Sequence, residues 1–211
     1  QSLTADRETR TPDLQPIAEN QVEALSSFSL DLLRENWTGA NILVSPLSVL
    51  SALGMTANGA GGGTLAQMEA VLGLPVEELN ETLAVWTAGL PKEKDCRVDL
   101  ANSLWLRDDG SFQPDPDFLQ TVADWYGAEV FPAAFDGGTL RDINGWVKKN
   151  TCGMIPEILS ELREETMLVL VNALALEAEW EEPYESHQGR EGAFFYTENR
   201  GKQNADLMHS T

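Results

Sequence analysis

The sequence predicts an α+β fold in which helices cover a large central β-sheet. Two strand patterns and their setting carry that expectation. Met167-Leu168-Val169-Leu170-Val171 is a continuous apolar run, the pattern of a strand covered on both faces. Val98, Leu100, Leu104 and Leu106 alternate with Asp99, Ala101, Ser103 and Trp105, which is the two-residue period of a strand. Around these runs lie several stretches of helical period that do not alternate strictly with strands, which argues against a doubly wound sheet. For the 167–171 run, periodicity alone leaves a buried helix open.

The elements can be justified in order. Glu19 to Arg34 reads as a helix, with Val22, Leu25, Phe28 and Leu32 on one face. Asn41 to Val44 is a short apolar strand candidate. Ser45-Pro46 then opens a second helix, because serine caps free amides and proline suits the first helical position. Leu47, Leu50 and Leu53 form its face, and Gly59 is placed to end it. Thr64-Leu65-Ala66-Gln67 has the form of a capping box, followed by Met68 and Leu72 and closed by Gly73. A further helix starts near Pro75, with Val76, Leu79, Leu83 and Trp86 inward and Glu77, Glu78 and Glu81 on it. Pro116 to Tyr126 is helical, Glu129 to Phe135 extended, and Thr139 to Asn150 helical with Leu140, Ile143 and Trp146 on a stripe. The strand from Thr166 to Leu176 closes the list.

Bulk properties bound the function. The 211 residues, 42% hydrophobic, suffice for one large or two small domains. Thirty-four acidic residues against 14 basic ones leave a net charge of -20. Such a surface repels nucleic acid, anionic membranes and sulfated polysaccharides. No stretch is long and apolar enough to span a membrane. Residues 1–20 are polar, carry Pro12 and Pro16 and show no apolar signal core, so a flexible lead-in is expected. Composition leaves the compartment undecided. Cys96 and Cys152 are too few for a disulfide framework, and can be free or form one bridge. Asn36-Trp37-Thr38 and Asn80-Glu81-Thr82 fit the glycosylation sequon.

Catalytic signals are missing. His187 and His209 lie in polar late segments outside any metal-ligand motif. There is no nucleophile elbow, and the Gly59–Thr64 run lacks the lysine of a phosphate loop. Acidic pairs such as Glu164-Glu165 and Glu181-Glu182 carry little information in so acidic a chain. Neither an active site nor a cofactor nor a metal is expected. Asn172 stands apart, because an amide inside an apolar strand is costly unless hydrogen-bonded. It is either a satisfied core residue that fixes register or a polar latch, a bonded cluster that opens.

The motifs in order resemble one family. Asn41-Ile42-Leu43-Val44-Ser45-Pro46-Leu47-Ser48-Val49, then Ala52-Leu53-Gly54-Met55 and Gly59-Ala60, resemble a block of the serpins. Thr64, Gln67 and Leu72 continue it. Ala101-Asn102-Ser103-Leu104-Trp105, Tyr126-Gly127-Ala128, Phe135-Asp136, Ile143-Asn144-Gly145-Trp146-Val147, Thr151-Cys152-Gly153-Met154-Ile155 and Asn172-Ala173-Leu174-Ala175-Leu176 with Trp180 follow in family order. Met154 replaces the usual lysine, and Ala175-Leu176-Glu177 replaces an aromatic-aromatic-basic run.

The resemblance implies a serpin-type protease inhibitor that traps its target once, covalently, by inserting a cleaved loop into the central sheet. A non-inhibitory binding, storage or chaperone role is the alternative. It places Ser45, Pro46, Ser48 and Asn172 under the part of the sheet where strands separate, and favours the latch reading of Asn172. It places Trp180 near the loop-entry end, the 166–176 strand beside the insertion gap, and the 139–150 helix over the sheet. Partners implied are a serine or cysteine protease and a C-terminal portion bearing the reactive loop, and the location implied is extracellular or secreted. The acid-rich helix after Pro75 argues against heparin. Residues 21–211 are then expected to form the N-terminal part of a single serpin domain, and the sheet to be incomplete.

Overall fold

A computed structural model describes residues 1–9, 15–110, 113–182, 189–197 and 201–208. Pro12, His187 and His209 lie outside the described residues. The chain forms two compact units, Gln1–Leu176 and Glu177–Thr211.

The first unit holds six helices and the main sheet among its described residues. The helices are α1 (Glu19–Asn36), α2 (Pro46–Ala57), α3 (Gly62–Leu72), α4 (Val76–Ala88), α5 (Pro116–Tyr126) and α6 (Gly137–Asn150). The strands are β1 (Cys96–Arg107), β2 (Glu129–Ala133) and β3 (Leu168–Ala178), in the order β2–β1–β3. The 166–176 run is therefore a strand over most of its length, as its continuous apolar character suggested, and not a buried helix. In the second unit, β4 (Gly189–Tyr196) pairs antiparallel with β5 (Lys202–Met208) in a two-stranded sheet.

Local chemistry sets most boundaries. Asp115 caps α5 by accepting from the Asp117 amide at 2.7 Å, with Pro116 in the first turn and Gly127 at φ 56 ending it. Asp136 caps α6 by accepting from the Gly138 and Thr139 amides at 2.8 and 3.0 Å. Those two bonds hold its carboxyl below the usual carboxylate range.

Some expectations need correction. The Thr64–Gln67 capping box does not form, because α3 starts inside the glycine run at Gly62 and puts Thr64 within the first turn. A glutamine does reach back at α1, where the Ala18 amide donates to Gln21 Oε1 at 2.8 Å. Asn41–Val44 is not a strand: no described strand lies beside it to complete a ladder, and Leu43 is 98% exposed. Val22, expected inward on α1, is exposed, while Leu25 and Phe28 are buried.

The sheet is covered on both faces. Leu104, Leu106 and Val130 pack into one cluster with Leu50 and Met55 of α2, Leu79 and Leu83 of α4 and Val122 of α5. Trp105, Val171 and Ala173 pack on the other face with Ile143, Trp146 and Val147 of α6. β1 and β2 are parallel, in register from Ser103 opposite Glu129 to Arg107 opposite Ala133, with α5 as the crossover. Beside β3, the Arg107 amide donates to the Met167 carbonyl at 2.9 Å, and Asn102 lies against Asn172. These two contacts make β1 and β3 antiparallel.

The lead-in is pinned at its start. The Leu3 amide donates to the Val130 carbonyl at 2.6 Å, Thr4 Oγ1 donates to the Ala128 carbonyl at 3.0 Å, and the Val130 amide donates to Ser2 Oγ at 3.0 Å. Arg7 adds bonds to the Pro116 carbonyl and to Gln120 of α5, each 3.2 Å. The segment thus covers the free edge of β2, which relieves an unpaired strand edge.

Candidate functional site

The residues singled out from sequence fall into three places. Ser45, Pro46 and Ser48 form the start of α2. Ser45 has extended backbone, Pro46 occupies the first turn, and Ser45 Oγ accepts from the Ser48 amide at 3.3 Å while bonding the Ser48 hydroxyl at 2.8 Å. This is a helix cap whose hydroxyls satisfy one another, and all three residues are half-buried. Asn172 sits in mid-β3, half-buried, with Nδ2 donating to Asn102 Oδ1 at 2.8 Å. Trp180 lies just past β3, in the second unit, 74% exposed. Among the described residues no hydrogen bond joins Asn172 to Ser45 or Ser48.

Asn172 is instead the end of a longer polar chain. Asn102, 2% exposed on β1, accepts from Asn172 and donates through its own Nδ2 to the Tyr126 carbonyl at 2.9 Å. The Tyr126 hydroxyl donates to Asn80 Oδ1 at 2.6 Å. Asn80 and Asn58 exchange amide bonds at 2.8 and 2.9 Å, and Asn58 also donates to the Gly54 carbonyl at 2.8 Å. Polar contacts therefore run from the middle of β3 through β1 and α5 to α4 and the end of α2. Burial pushes the Tyr126 hydroxyl far above its ordinary pKa, and a hydrogen bond with Asn58 offsets only part of that shift. Burial thus favours its neutral, donating form.

One atom in this chain lacks a partner among the described residues: Asn172 Oδ1 is buried and unbonded. A buried acceptor left unpaired costs about 1–3 kcal/mol. The strand that could supply a donor would lie beside β3, whose second edge carries no strand among the described residues.

Asn102, Tyr126, Asn80 and Asn58 were not singled out from sequence. A signal existed for Asn102. It occupies the same register phase as Val98, Leu100, Leu104 and Leu106, so it interrupts the apolar face of β1 as Asn172 interrupts β3. Asn80 was read only as a sequon residue; at 3% exposure, with its amide bonded to Asn58, it is not open to a glycosyl carrier. Asn36 is exposed. Cys96 and Cys152 are both free thiols. Among the described residues no group of three or more His, Cys, Asp and Glu side chains is placed to hold a metal, and no helix is long and apolar enough to cross a membrane.

This arrangement of sheet and helices has close counterparts. The family model described as "Serpin (serine protease inhibitor)" matches residues 23–211. The leukocyte elastase inhibitor of Xenopus tropicalis is 33% identical over 187 residues, covering 83% of this chain and 49% of that protein. Thyroxine-binding globulin of Sus scrofa is 28% identical over 178 residues, covering 80% of this chain and 42% of that protein. Among solved structures, the thermophilic serpin tengpin in its native state superposes with a TM-score of 0.90 at 38% identity, over 99% of this chain and 54% of tengpin. The chain thus spans about half the length of these relatives. With the family model and the fold in agreement over nearly all of it, the chain belongs to the serpin family.

Proposed function

We propose that this chain supplies the loop-receiving half of a serpin-type protease inhibitor, which traps a serine or cysteine protease once and covalently. The cleaved reactive loop, outside these residues, would enter the sheet as a new strand beside β3. The observation that carries the reading is Asn172. It is tied to β1 by a single side-chain bond, and its buried oxygen faces the cost of having no donor. A strand added along the second edge of β3 would gain main-chain bonds and could satisfy that oxygen. Ser45, Pro46 and Ser48 support the sheet-opening region as the rigid start of α2, and Trp180 marks the loop-entry end. An extracellular location and indifference to heparin complete the proposal.

A second reading, a non-inhibitory binding role, draws on the thyroxine-binding globulin relative. One experiment separates them. A protein carrying this chain with its loop-bearing portion is mixed with a panel of serine and cysteine proteases and resolved on denaturing gels. An SDS-stable covalent complex is expected with at least one protease. Cleavage of the loop without any such complex across the panel would overturn inhibition and favour the binding role.

A further inference from the structure

Beside the loop between α4 and β1, where Lys92 and Lys94 are balanced by Glu93 and Asp95, basic side chains from three elements line one cavity. Lys92 and Arg97 face each other across an isolated antiparallel bridge, held by the Glu93 amide on the Cys96 carbonyl at 3.1 Å and the Val98 amide on the Pro91 carbonyl at 2.8 Å. Like charges directly opposite on such a bridge destabilise it. Lys149, from the last turn of α6, joins the same cavity of about 520 Å³, which Asn150, Cys152 and Asp99 also line. Only one carboxylate is present, Asp99, paired with Arg97 Nε at 2.9 Å. Arg97 Nη2 also donates to the Cys152 sulfur at 3.2 Å, which draws the guanidinium toward the cavity wall.

Across the whole chain acids outnumber bases 34 to 14. In this cavity three cations meet one acid, so the local balance is reversed. Asp99 answers the charge of Arg97, while Lys92 and Lys149 have no ion pair among the described residues. A helix C-terminus explains the site of Lys149 but not that of Lys92 or Arg97.

We propose that this cavity is a binding site for a small multivalent oxyanion of the phosphate class. The anion lies between Lys92 and Lys149, takes further charge from Arg97, and offsets the repulsion across the bridge. The cavity's volume suits a compact ligand. Its walls come from the start of β1 and the end of α6, so an occupant ties the helix that covers the sheet to a strand within it.

Thermal unfolding of the full chain tests this, with inorganic pyrophosphate as probe and sodium chloride at matched ionic strength as reference. Pyrophosphate is expected to raise the unfolding temperature saturably, beyond the salt reference. The double variant Lys92→Gln, Lys149→Gln should weaken the apparent affinity roughly tenfold, the scale of two partly exposed charge contacts. Lys148→Gln, which removes equal charge outside the cavity lining, should leave the response intact. Without anion, Lys92→Gln alone should unfold at a higher temperature than the parent, because the repulsion across the bridge is gone. A response equal to that of the matched salt, or one that survives in the double variant, overturns the proposal.

Discussion

Ser45–Ser48 and Asn172–Asn102 are two polar pairs of similar bond length and opposite character. The seryl pair is separated by three residues, and its bonds close within the first turn of α2. The asparagine pair is separated by 70 residues and joins two strands of the sheet. The first is a cap that helix formation satisfies by itself. The second exists only when β1 and β3 lie side by side, and it leaves Asn172 Oδ1 unpaired. A local pair reports on one helix, while a distant pair reports on whether the sheet is shut. A residue that senses strand separation must be of the second kind.

Substitutions should separate the two pairs by size. Asn102→Ala is expected to have the largest effect. It strips the partner from Asn172 Nδ2 and from the Tyr126 carbonyl inside the core, which costs about 3 kcal/mol in urea unfolding. A loss below that of a surface substitution would mean that the polar chain carries no strain. Deleting residues 1–9 uncovers the β2 edge and removes the Leu3 and Thr4 bonds; about 2 kcal/mol should be lost, after allowance for the freed segment's entropy. Ser45→Ala should cost about 1 kcal/mol, the usual value of a serine cap.

Asn172→Leu should change stability by less than about 1 kcal/mol, because losing the bond to Asn102 is offset by removing an unpaired buried acceptor. If Asn172→Leu proves as costly as Asn102→Ala, the oxygen has a donor and the contrast between the pairs collapses. In a protein carrying the loop-bearing portion, the same variant should shift the share of latent or polymeric forms on native gels.

The smallest effect is one of pH. The Asp136 carboxyl is held below its unfolded value by the Thr139 and Gly138 amides. Its contribution is therefore present above the unfolded pKa and is lost as pH falls through the lower folded one. Asp136→Asn should therefore lower stability slightly near neutral pH, where the charge contributes, and converge on the parent in acid. A pH profile parallel to the parent's would show that the cap contributes nothing through its charge.

The legible parts of the molecule are those whose cause is local. Ser45-Pro46 opens α2 and Pro116 opens α5 where the residues indicate, because capping and a proline in the first turn act within four residues. The apolar 167–171 run marked a strand, and β3 is one, although Met167 and Leu168 are exposed and only Val171 of the run is buried. Where short-range signals misled, a longer-range fact prevailed. The box at Thr64 yielded to a helix that begins in the glycine run, and the apolar Asn41–Val44 segment stayed irregular for want of a strand beside it.

For the site, the sequence by itself determined that an amide would interrupt the apolar run of β3, and that the start of α2 would carry a seryl cap. It determined the family as well, because ordered motifs survive at low overall identity. Only the tertiary structure decided what Asn172 touches. Its partner is Asn102, and beyond it come Tyr126, Asn80 and Asn58, because strand pairing and helix packing bring together residues that no sequence period relates. The same holds for the three cations around Cys152, whose meeting depends on the end of α6 packing beside the start of β1.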